Sequence, residues 1–206
     1  MTEIQPTLLI VEDTHDTRQL LEVTLKFKGY RVITTTNGQE AIEAIAKERP
    51  AMVITDILMP KMDGFNLVHR LRINPETRNL PVIFLSATYV APADKEFAIA
   101  IGVTRFIEKP IEIEELLRAI IELLPQGALA APKLIEEAEF FEAYRQRLKI
   151  KLEEKNAQIV RTEGMLDSLS ADEKIAFVKS LQLTISERDE IRYLLDKIYE
   201  QAGKQE

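Results

Sequence analysis

The feature that most constrains the fold is a regular alternation of two kinds of segment in the first 124 residues. Short apolar segments, rich in β-branched residues, are typical of strands that are buried on both faces of a parallel sheet. They lie at residues 7–11, 30–35, 52–55, 81–85 and 103–107. The segments between them have the three-to-four-residue apolar period of helices. The alternation predicts an α/β fold, a five-stranded parallel, doubly wound sheet with helices on both faces.

Composition indicates the class of protein. Hydrophobic residues are 46% and charged residues 30% of the chain, which is typical of a soluble globular protein. No apolar run approaches the roughly 20 residues of a membrane-spanning helix, and the amino terminus does not resemble a signal peptide. The chain has no cysteine, so disulfides and thiolate chemistry are excluded. We therefore expect a cytoplasmic protein with no membrane partner.

Charge and glycine patterns argue against two common ligand classes. The net charge of -7 does not attract nucleic acid to the molecule as a whole. No G-x-G-x-x-G follows the first strand and no Walker A sequence is present, so nucleotide binding lacks its usual motifs.

Polar residues directly follow four of the predicted strands. They are Glu12 and Asp13 after the first strand, Asp56 after the third, Ser86 and Thr88 after the fourth, and Lys109 after the fifth. Because the carboxyl ends of parallel strands meet at one edge of a sheet, we expect these residues to lie together. Three clustered carboxylates repel each other, and their oxygen ligands favour a hard divalent cation such as Mg2+. Asp56 can then act as a nucleophile that forms an aspartyl phosphate, while Lys109 and Ser86 bind the phosphoryl oxygens.

The alternative is that each of these residues caps its own turn, in which case four strand ends coincide by chance. A motif after the third strand argues against that alternative. Residues 59–64 read Met-Pro-Lys-Met-Asp-Gly, Ser86 is followed by alanine, and Lys109 is followed by proline. With Glu12, Asp13 and Asp56, these residues match the pattern of a known family. Residues 7–124 resemble the receiver domain of two-component response regulators, which has a flavodoxin-like fold.

The resemblance implies a role for each matching residue. Asp56 would accept a phosphoryl group from the phosphohistidine of a histidine kinase or phosphotransfer protein. Asp13, Asp56 and the backbone carbonyl of Leu58 would ligate Mg2+, with Glu12 acting mostly through water. Lys109 would pair with the Asp56 carboxylate or its phosphate, and the bond between Lys109 and Pro110 would be cis.

The resemblance also implies switch and tuning residues. In the family, a hydroxyl and an aromatic residue move together on phosphorylation, and Ser86 and Phe106 hold those positions. Phe106 lacks the phenol oxygen of the commoner tyrosine, so we expect it to switch by packing. Leu58 and Thr88 hold the two positions that tune phosphoryl lifetime.

The last third of the chain has a different pattern. A short stretch at residues 126–132, bounded by glycine and proline, predicts a linker between a receiver at residues 1–125 and a helical region at residues 133–206. Apolar spacing predicts a long helix at about 133–169 and shorter helices at about 171–184 and 187–201. The residues expected inside the two shorter helices are Ile175, Val178, Leu181, Leu183, Ile191, Leu194, Leu195 and Ile198.

The long helix favours a dimeric coiled coil. Its apolar residues at three-to-four spacing are Leu134, Ala138, Phe141, Leu148, Leu152, Ile159 and Leu166, and the series is interrupted at Arg145, Lys155 and Thr162. The alternative is an amphipathic helix that packs on its own neighbours.

These features predict a response regulator of a two-component phosphorelay that switches a helical dimerisation or protein-interaction output. We do not expect an enzyme, beyond catalysis of its own Mg2+-dependent phosphorylation and dephosphorylation. One alternative is a transcriptional or RNA-binding, antitermination-type regulator whose helical tail reads nucleic acid. Residues 126–206 carry 13 Lys and Arg against 16 Asp and Glu, a net charge of -3 (13 minus 16), which disfavours it. Another alternative is a phosphohydrolase, but Leu58 stands where such enzymes carry a second aspartate.

Overall fold

The computed structural model describes residues 5–86, 92–124, 135–166 and 171–202. The chain divides into two compact units, Met1–Ile135 and Glu136–Glu206. Three sequence expectations, the tuning residue Thr88, the seam residue Leu134 and the linker 126–132, lie outside the described residues. No described helix is long and apolar enough to cross a membrane.

The first unit is built on a sheet of five parallel strands. They are β1 (Thr7–Val11), β2 (Arg31–Thr35), β3 (Met52–Asp56), β4 (Val82–Ser86) and β5 (Arg105–Glu108). Their order across the sheet is β2-β1-β3-β4-β5. The chain therefore reverses its direction of travel across the sheet between β1 and β3, and ligands bind at such reversals in open α/β sheets. The predicted doubly wound fold is confirmed.

Five helices connect and cover the strands. They are α1 (His15–Phe27), α2 (Gly38–Lys47), α3 (Gly64–Ile73), α4 (Pro92–Ala100) and α5 (Ile113–Leu123). Every residue of β1 and β4 is buried, because a parallel sheet is covered on both faces. One core cluster joins strand and helix residues, including Leu8, Ile10, Leu21, Ile54, Leu85 and Leu116.

The second unit consists of two long helices, α6 (Glu137–Leu166) and α7 (Ala171–Ala202). Lys155 Nζ donates to Glu187 Oε2 at 2.5 Å, and nearer the start of α6 Arg145 lies over the ring of Tyr199. Because lower numbers in α6 face higher numbers in α7, the two helices form an antiparallel hairpin. Its buried apolar residues are Phe140, Tyr144, Leu148, Ile159, Ile191, Leu194, Leu195 and Ile198.

The predicted break between two shorter helices, at about 184–187, is wrong, because α7 is continuous from Ala171 to Ala202. No proline or glycine occurs in this segment to end a helix. Thr184 is buried, and its Oγ1 donates to the carbonyl of Ser180 at 3.1 Å, four residues earlier.

The predicted burial of residues in α7 is confirmed in its second half and wrong in its first half. Burial of Ile191, Leu194, Leu195 and Ile198 is confirmed. Burial of Ile175, Val178 and Leu183 is wrong, because all three are exposed. Two residues of the predicted coiled-coil seam, Leu148 and Ile159, are buried within the unit, which agrees with packing against a neighbouring helix. A hairpin of two helices has one shared seam, so apolar residues on its other sides remain exposed.

Candidate functional site

Three carboxylates meet at the carboxyl edge of the sheet. Glu12 and Asp13 follow β1, and Asp56 ends β3. The parallel register aligns Val11 with Thr55, so the residues that follow these two lie side by side. One carboxylate oxygen from each of the three acids lies within 4.8 Å of the other two. The predicted acidic cluster is therefore assembled by the pairing of β1 with β3.

Lys109, which follows β5, reaches this cluster from two strands away. Its Nζ donates to Asp56 Oδ2 at 2.7 Å and to Glu12 Oε2 at 2.9 Å. Its backbone N–H donates to the carbonyl of Ser86 at 2.7 Å, and the bond to Pro110 is cis. The ammonium group thus bridges two acids that would otherwise repel each other.

Ser86 is the last residue of β4 and is fully buried. Its Oγ has no hydrogen-bond partner among the described residues. An unsatisfied buried hydroxyl costs free energy, so its presence in a native structure calls for an explanation such as a functional role. Ser86 lies in the strand next to that of Asp56, and Leu85 pairs with Asp56 in the register.

The loop after Asp56 depends on Asp63 and Gly64. Gly64 N–H donates to the carbonyl of Ile57 at 2.8 Å, and a Cβ at Gly64 would lie 2.5 Å from the backbone oxygen of Asp56. Asp63 Oδ1 accepts from the N–H of Asn66 at 2.9 Å and caps α3. The Ile57 N–H donates to Asp56 Oδ1 at 2.7 Å. The Asp-Gly pair therefore allows the close approach of α3 to the end of β3.

The electrostatics of the cluster follow from burial and mutual repulsion. Burial raises the pKa of Asp56 to about 6, Glu12 adds to the rise, and Lys109 opposes it. Burial, and then repulsion from Glu12, also raises the pKa of Asp13. Burial lowers the pKa of Lys109, but Asp56 and Glu12 outweigh it, so the net shift is upward. With all four groups charged, one cation faces three anions and the net charge is -2, which a divalent cation would neutralise.

The comparisons with known proteins agree with this geometry. A family model described as response regulator receiver domain matches residues 8–121, more than half of the chain. The chain belongs to the response regulator receiver family.

Solved receiver structures resemble the first unit. The chemotaxis protein CheY4 of Vibrio cholerae is 32% identical, with a TM-score of 0.55, covering 58% of this chain and 98% of that chain. The receiver domain of the sensor histidine kinase PA1611 from Pseudomonas aeruginosa PAO1 is 26% identical, with a TM-score of 0.55, covering 59% and 98%. That second structure has a magnesium ion coordinated in its active site cleft.

A curated protein is also similar in sequence to this chain over the receiver region. The protein named "Probable transcriptional regulator ycf27" of Pyropia yezoensis is 36% identical over 109 residues, which are 53% of this chain and 43% of that protein. The chain spans about half the length of the curated transcriptional regulators that it matches. Helices α6 and α7 lie beyond the region that the family model matches.

Phe106 of this receiver does not lie in the acidic cluster. It is half-buried on β5, and its ring meets that of Phe84 edge to face at 5.7 Å. Phe84 meets Phe65 of α3 at 5.4 Å, and Phe65 meets Phe97 of α4 at 5.5 Å. An aromatic row thus connects the predicted switch residue to two helices that flank the site.

The remaining predicted residue of the receiver site is Leu58, which is half-buried two positions after Asp56. Its carbonyl as a metal ligand and its tuning of phosphoryl lifetime stay predictions.

Sequence reasoning missed Arg18, a residue of α1. Its Nη1 donates to the carbonyls of Glu12 at 2.6 Å and Asp13 at 3.0 Å, which holds the strand end that carries both acids. The Thr14 N–H also donates to Glu12 Oε1, at 3.2 Å. The only signal in the sequence was that Arg18 follows Asp13 by five residues and Glu12 by six, near the start of a predicted helix. Such a spacing of opposite charges is common in surface helices.

Proposed function

We propose that this receiver accepts a phosphoryl group on Asp56 from the phosphohistidine of a histidine kinase or phosphotransfer protein. The observation that carries the proposal is the grouping of Asp56 with Glu12, Asp13 and Lys109 beside the hydroxyl of Ser86, which has no hydrogen-bond partner in the described part of the chain. A carboxylate, a cation bonded to it and an unsatisfied buried donor together suit an acceptor of a phosphoryl group.

The transfer is a displacement at phosphorus. A carboxylate oxygen of Asp56 forms a bond to phosphorus as the phosphorus–nitrogen bond to the imidazole breaks. The imidazole leaves with the bonding electron pair. Without Mg2+ the pKa of Asp56 is raised to about 6, so its carboxylate is mostly ionised at neutral pH. Lys109 offsets the negative charge of the acyl phosphate that results.

Mg2+ is the cofactor that the donor set fits, since the cluster offers oxygen ligands only. Asp13, Asp56 and the Leu58 carbonyl would hold it, with Glu12 acting through water. When bound, it supplies positive charge between the carboxylates and the phosphoryl oxygens. The magnesium ion in the related Pseudomonas aeruginosa receiver supports this assignment.

The switch begins at Ser86, whose buried hydroxyl would donate to a phosphoryl oxygen on Asp56. Movement of β4 toward the phosphoryl group would disturb the contact between Phe84 and Phe106. Because Phe106 has no hydroxyl, its alternative position is set by packing alone. The row through Phe65 and Phe97 gives the change a route to α3 and α4.

The output in this proposal is an interaction of the helical unit with protein, including a second copy of the chain. The chain acts on its own aspartyl phosphate and turns over no external substrate. The helical unit offers exposed apolar side chains for such contacts, among them Val160, Ile175 and Leu183.

The test is phosphorylation of the full chain by acetyl phosphate with Mg2+, measured by intact-protein mass spectrometry. The wild type should gain one phosphoryl group, and Asp56→Asn should gain none. A matched control is Asp16→Asn, because Asp16 is an exposed aspartate on α1 outside the carboxylate cluster. Labelling that persists in Asp56→Asn, or labelling of the wild type that survives removal of Mg2+ by chelator, would contradict the proposal.

A second candidate output is nucleic-acid binding by the helical unit. Arg145 and Lys149 each lie 5.9 Å from the ring centre of the exposed Tyr199, so two cations and an aromatic share one surface. The relatives named as transcriptional regulators match the receiver region. A gel shift that weakens steeply with salt and is lost in Arg145→Ala/Lys149→Ala would support this output. Absence of any shift at low salt would exclude it.

A further inference from the structure

The turn between β2 and α2 packs against the loop that follows Asp56. We call residues 36–40 the capping turn and residues 57–63 the acceptor loop. The Gly38 N–H donates to the carbonyl of Met62 at 2.8 Å. A Cβ at Gly38 would lie 2.7 Å from Met62 Cγ and 2.8 Å from the Met62 backbone oxygen. The two segments are therefore in direct contact, and a larger residue at this position would displace the acceptor loop.

Hydrogen bonds within the capping turn hold the start of α2. Asn37 is buried, and its Oδ1 accepts from the N–H of Glu40 at 3.0 Å. Glu40 Oε2 accepts from the N–H of Thr36 at 3.0 Å and from the Thr36 hydroxyl at 2.7 Å, and Glu40 Oε1 accepts from Asn37 Nδ2 at 2.8 Å. The bonds from Thr36, and then that from Asn37, lower the pKa of Glu40 to about 2, so the carboxylate is ionised at neutral pH. This reciprocal capping fixes the position of the Gly38 N–H.

The residue before the capping turn is bonded to the strand that carries the other two acids. The carbonyl of Thr35 accepts from the N–H of Glu12 at 3.1 Å, and Thr35 Oγ1 donates to the carbonyl of Ile10 at 3.4 Å. In the sheet, β1 lies between β2 and β3. Residues 35–40 thus contact both the end of β1 at Glu12 and the loop after β3 at Met62.

The acceptor loop contains a residue in an unfavourable backbone conformation. Lys61 has a φ of 65°, in the left-handed region that is costly for a residue with a Cβ. Its Nζ lies 3.6 Å from Glu40 Oε1. At the end of the loop, the Gly64 N–H donates to the carbonyl of Ile57 at 2.8 Å. Because a strained conformation persists only where its surroundings hold it, the loop depends on contacts such as those from the capping turn.

We propose that Gly38 and Glu40 are positioning residues for the Mg2+ site. They hold the acceptor loop, which follows Asp56 and carries the Leu58 carbonyl, in the conformation that suits the ion. Neither residue would touch the ion, and contacts of this indirect kind orient metal ligands. The inference rests on the proposed function and adds two residues to its site. The alternative is that the capping turn stabilises α2 alone, in which case Mg2+ affinity does not depend on it.

The first test is isothermal titration calorimetry of Mg2+ into the full chain, with stability measured in parallel by urea denaturation without Mg2+. Gly38→Ala should raise the dissociation constant of Mg2+ about tenfold, because the Met62 carbonyl must move away from the new Cβ. The matched control is Ile45→Ala, which removes a buried side chain farther along α2. It should lower stability and leave the dissociation constant unchanged. An unchanged constant in Gly38→Ala, or an equal rise in Ile45→Ala, would overturn the inference.

A second pair of variants covers the case in which Gly38→Ala does not fold. Glu40→Gln should raise the dissociation constant of Mg2+ about threefold, because an amide cannot accept the bonds from both Thr36 and Asn37. Glu43→Gln removes the same charge from an exposed position three residues farther along α2. It therefore measures the loss of long-range attraction for Mg2+ by itself. Equal effects of the two substitutions on Mg2+ affinity would overturn the positioning role.

Labelling by acetyl phosphate distinguishes this inference from the proposed function. A wild type that binds Mg2+ but gains no phosphoryl group overturns the phosphoacceptor role alone. Normal labelling of the wild type, together with equal Mg2+ affinity in Gly38→Ala, overturns the positioning role alone. If both hold, Gly38→Ala should regain the wild-type rate of labelling when the Mg2+ concentration is raised about tenfold, which a general loss of folded protein would not allow.

Discussion

The receiver unit and the helical hairpin bury their apolar residues to different extents. In the receiver, the central strands are buried on both faces, and residues such as Ile54 and Leu85 have no exposed surface. In the hairpin, each long helix has one covered side, and Ile175 is 73% exposed. A sheet with helices on both faces encloses a hydrophobic core, whereas two helices bury only the apolar residues along their one shared interface.

In the proposed function, this difference separates the phosphoryl chemistry of the receiver from the interactions of the hairpin. The closed core holds β1, β3 and β5 in register, and this fixes the distances among Glu12, Asp56 and Lys109. The open hairpin keeps apolar and charged surface available for another molecule. Rigid positioning suits phosphoryl transfer, and uncovered surface suits a change of partner.

The largest expected effect is on stability, and it compares a buried isoleucine of the receiver with an exposed isoleucine of the hairpin. Ile54→Ala should lower the free energy of unfolding of the receiver by about 2–5 kcal/mol, because it leaves a cavity in a closed core. Ile175→Ala should change the stability of the hairpin by less than about 0.5 kcal/mol, because the side chain is mostly in water. Chemical denaturation followed by circular dichroism measures both. Equal losses of unfolding free energy in the two variants would show that Ile175 is more buried in solution than its exposed fraction indicates.

The next comparison uses two glycines. Gly64→Ala should destabilise the receiver by about 1–3 kcal/mol and slow phosphorylation, because the new Cβ would lie 2.5 Å from the Asp56 carbonyl oxygen. Gly164→Ala should stabilise α6 by about 0.5–1 kcal/mol, because no described atom lies within 4 Å of its Cβ position. Thermal unfolding and the rate of labelling by acetyl phosphate provide the readouts. If Gly64→Ala changed neither thermal stability nor the rate of labelling, the steric explanation for Gly64 would be wrong.

The contributions of Asp56 in the receiver and Glu142 in the hairpin to the pH dependence of stability should have opposite signs. Without Mg2+, folded Asp56 binds a proton up to about pH 6, whereas an unfolded aspartate releases it near about pH 3.9. Between these values Asp56 binds more protons in the folded state, so its contribution makes the free energy of unfolding of the receiver fall as pH rises. Asp56→Asn should reduce this fall, and urea titrations at several pH values measure it.

In the hairpin, a hydrogen bond from Arg145 lowers the pKa of Glu142 below its ordinary range. The contribution of Glu142 is therefore present above the unfolded pKa and is lost as pH falls through the lowered one. Glu142→Gln removes this contribution and serves as the counterpart of Asp56→Asn. If Asp56→Asn and Glu142→Gln changed the pH slope of stability in the same direction, the opposite pKa shifts of these two groups would be contradicted.

The smallest expected effect is the coupling of Lys155 with Glu187 across the hairpin, at 2.5 Å. Both side chains are partly exposed, so a double-mutant cycle with alanine should give about 0.2–1 kcal/mol. Arg105 with Glu122 in the receiver is a matched exposed pair at 2.8 Å. A much larger coupling in the hairpin would show that its helices depend on ion pairs more than on apolar contact.

Much of the receiver could be predicted from the sequence, because local signals and the global fold agree there. Each strand is a short apolar run, and parallel topology brings the residues after Val11 and Thr55 together. In α7 the same kind of reasoning failed at two points. Ser186 and Glu187 look like a helix start, yet the helix continues through them. Ile175 and Val178 have the spacing of a buried face, yet the hairpin leaves them exposed.

The sequence by itself determined the sheet, the acids and lysine at its carboxyl edge and the Asp-Gly turn after Asp56. These depend on residue order, on the period of the backbone and on steric limits that act between near neighbours. Only the tertiary structure decided the contacts of Arg18, the burial of the Ser86 hydroxyl and the seam of the hairpin. Those depend on which surfaces meet in space, and one amphipathic period is compatible with several partners.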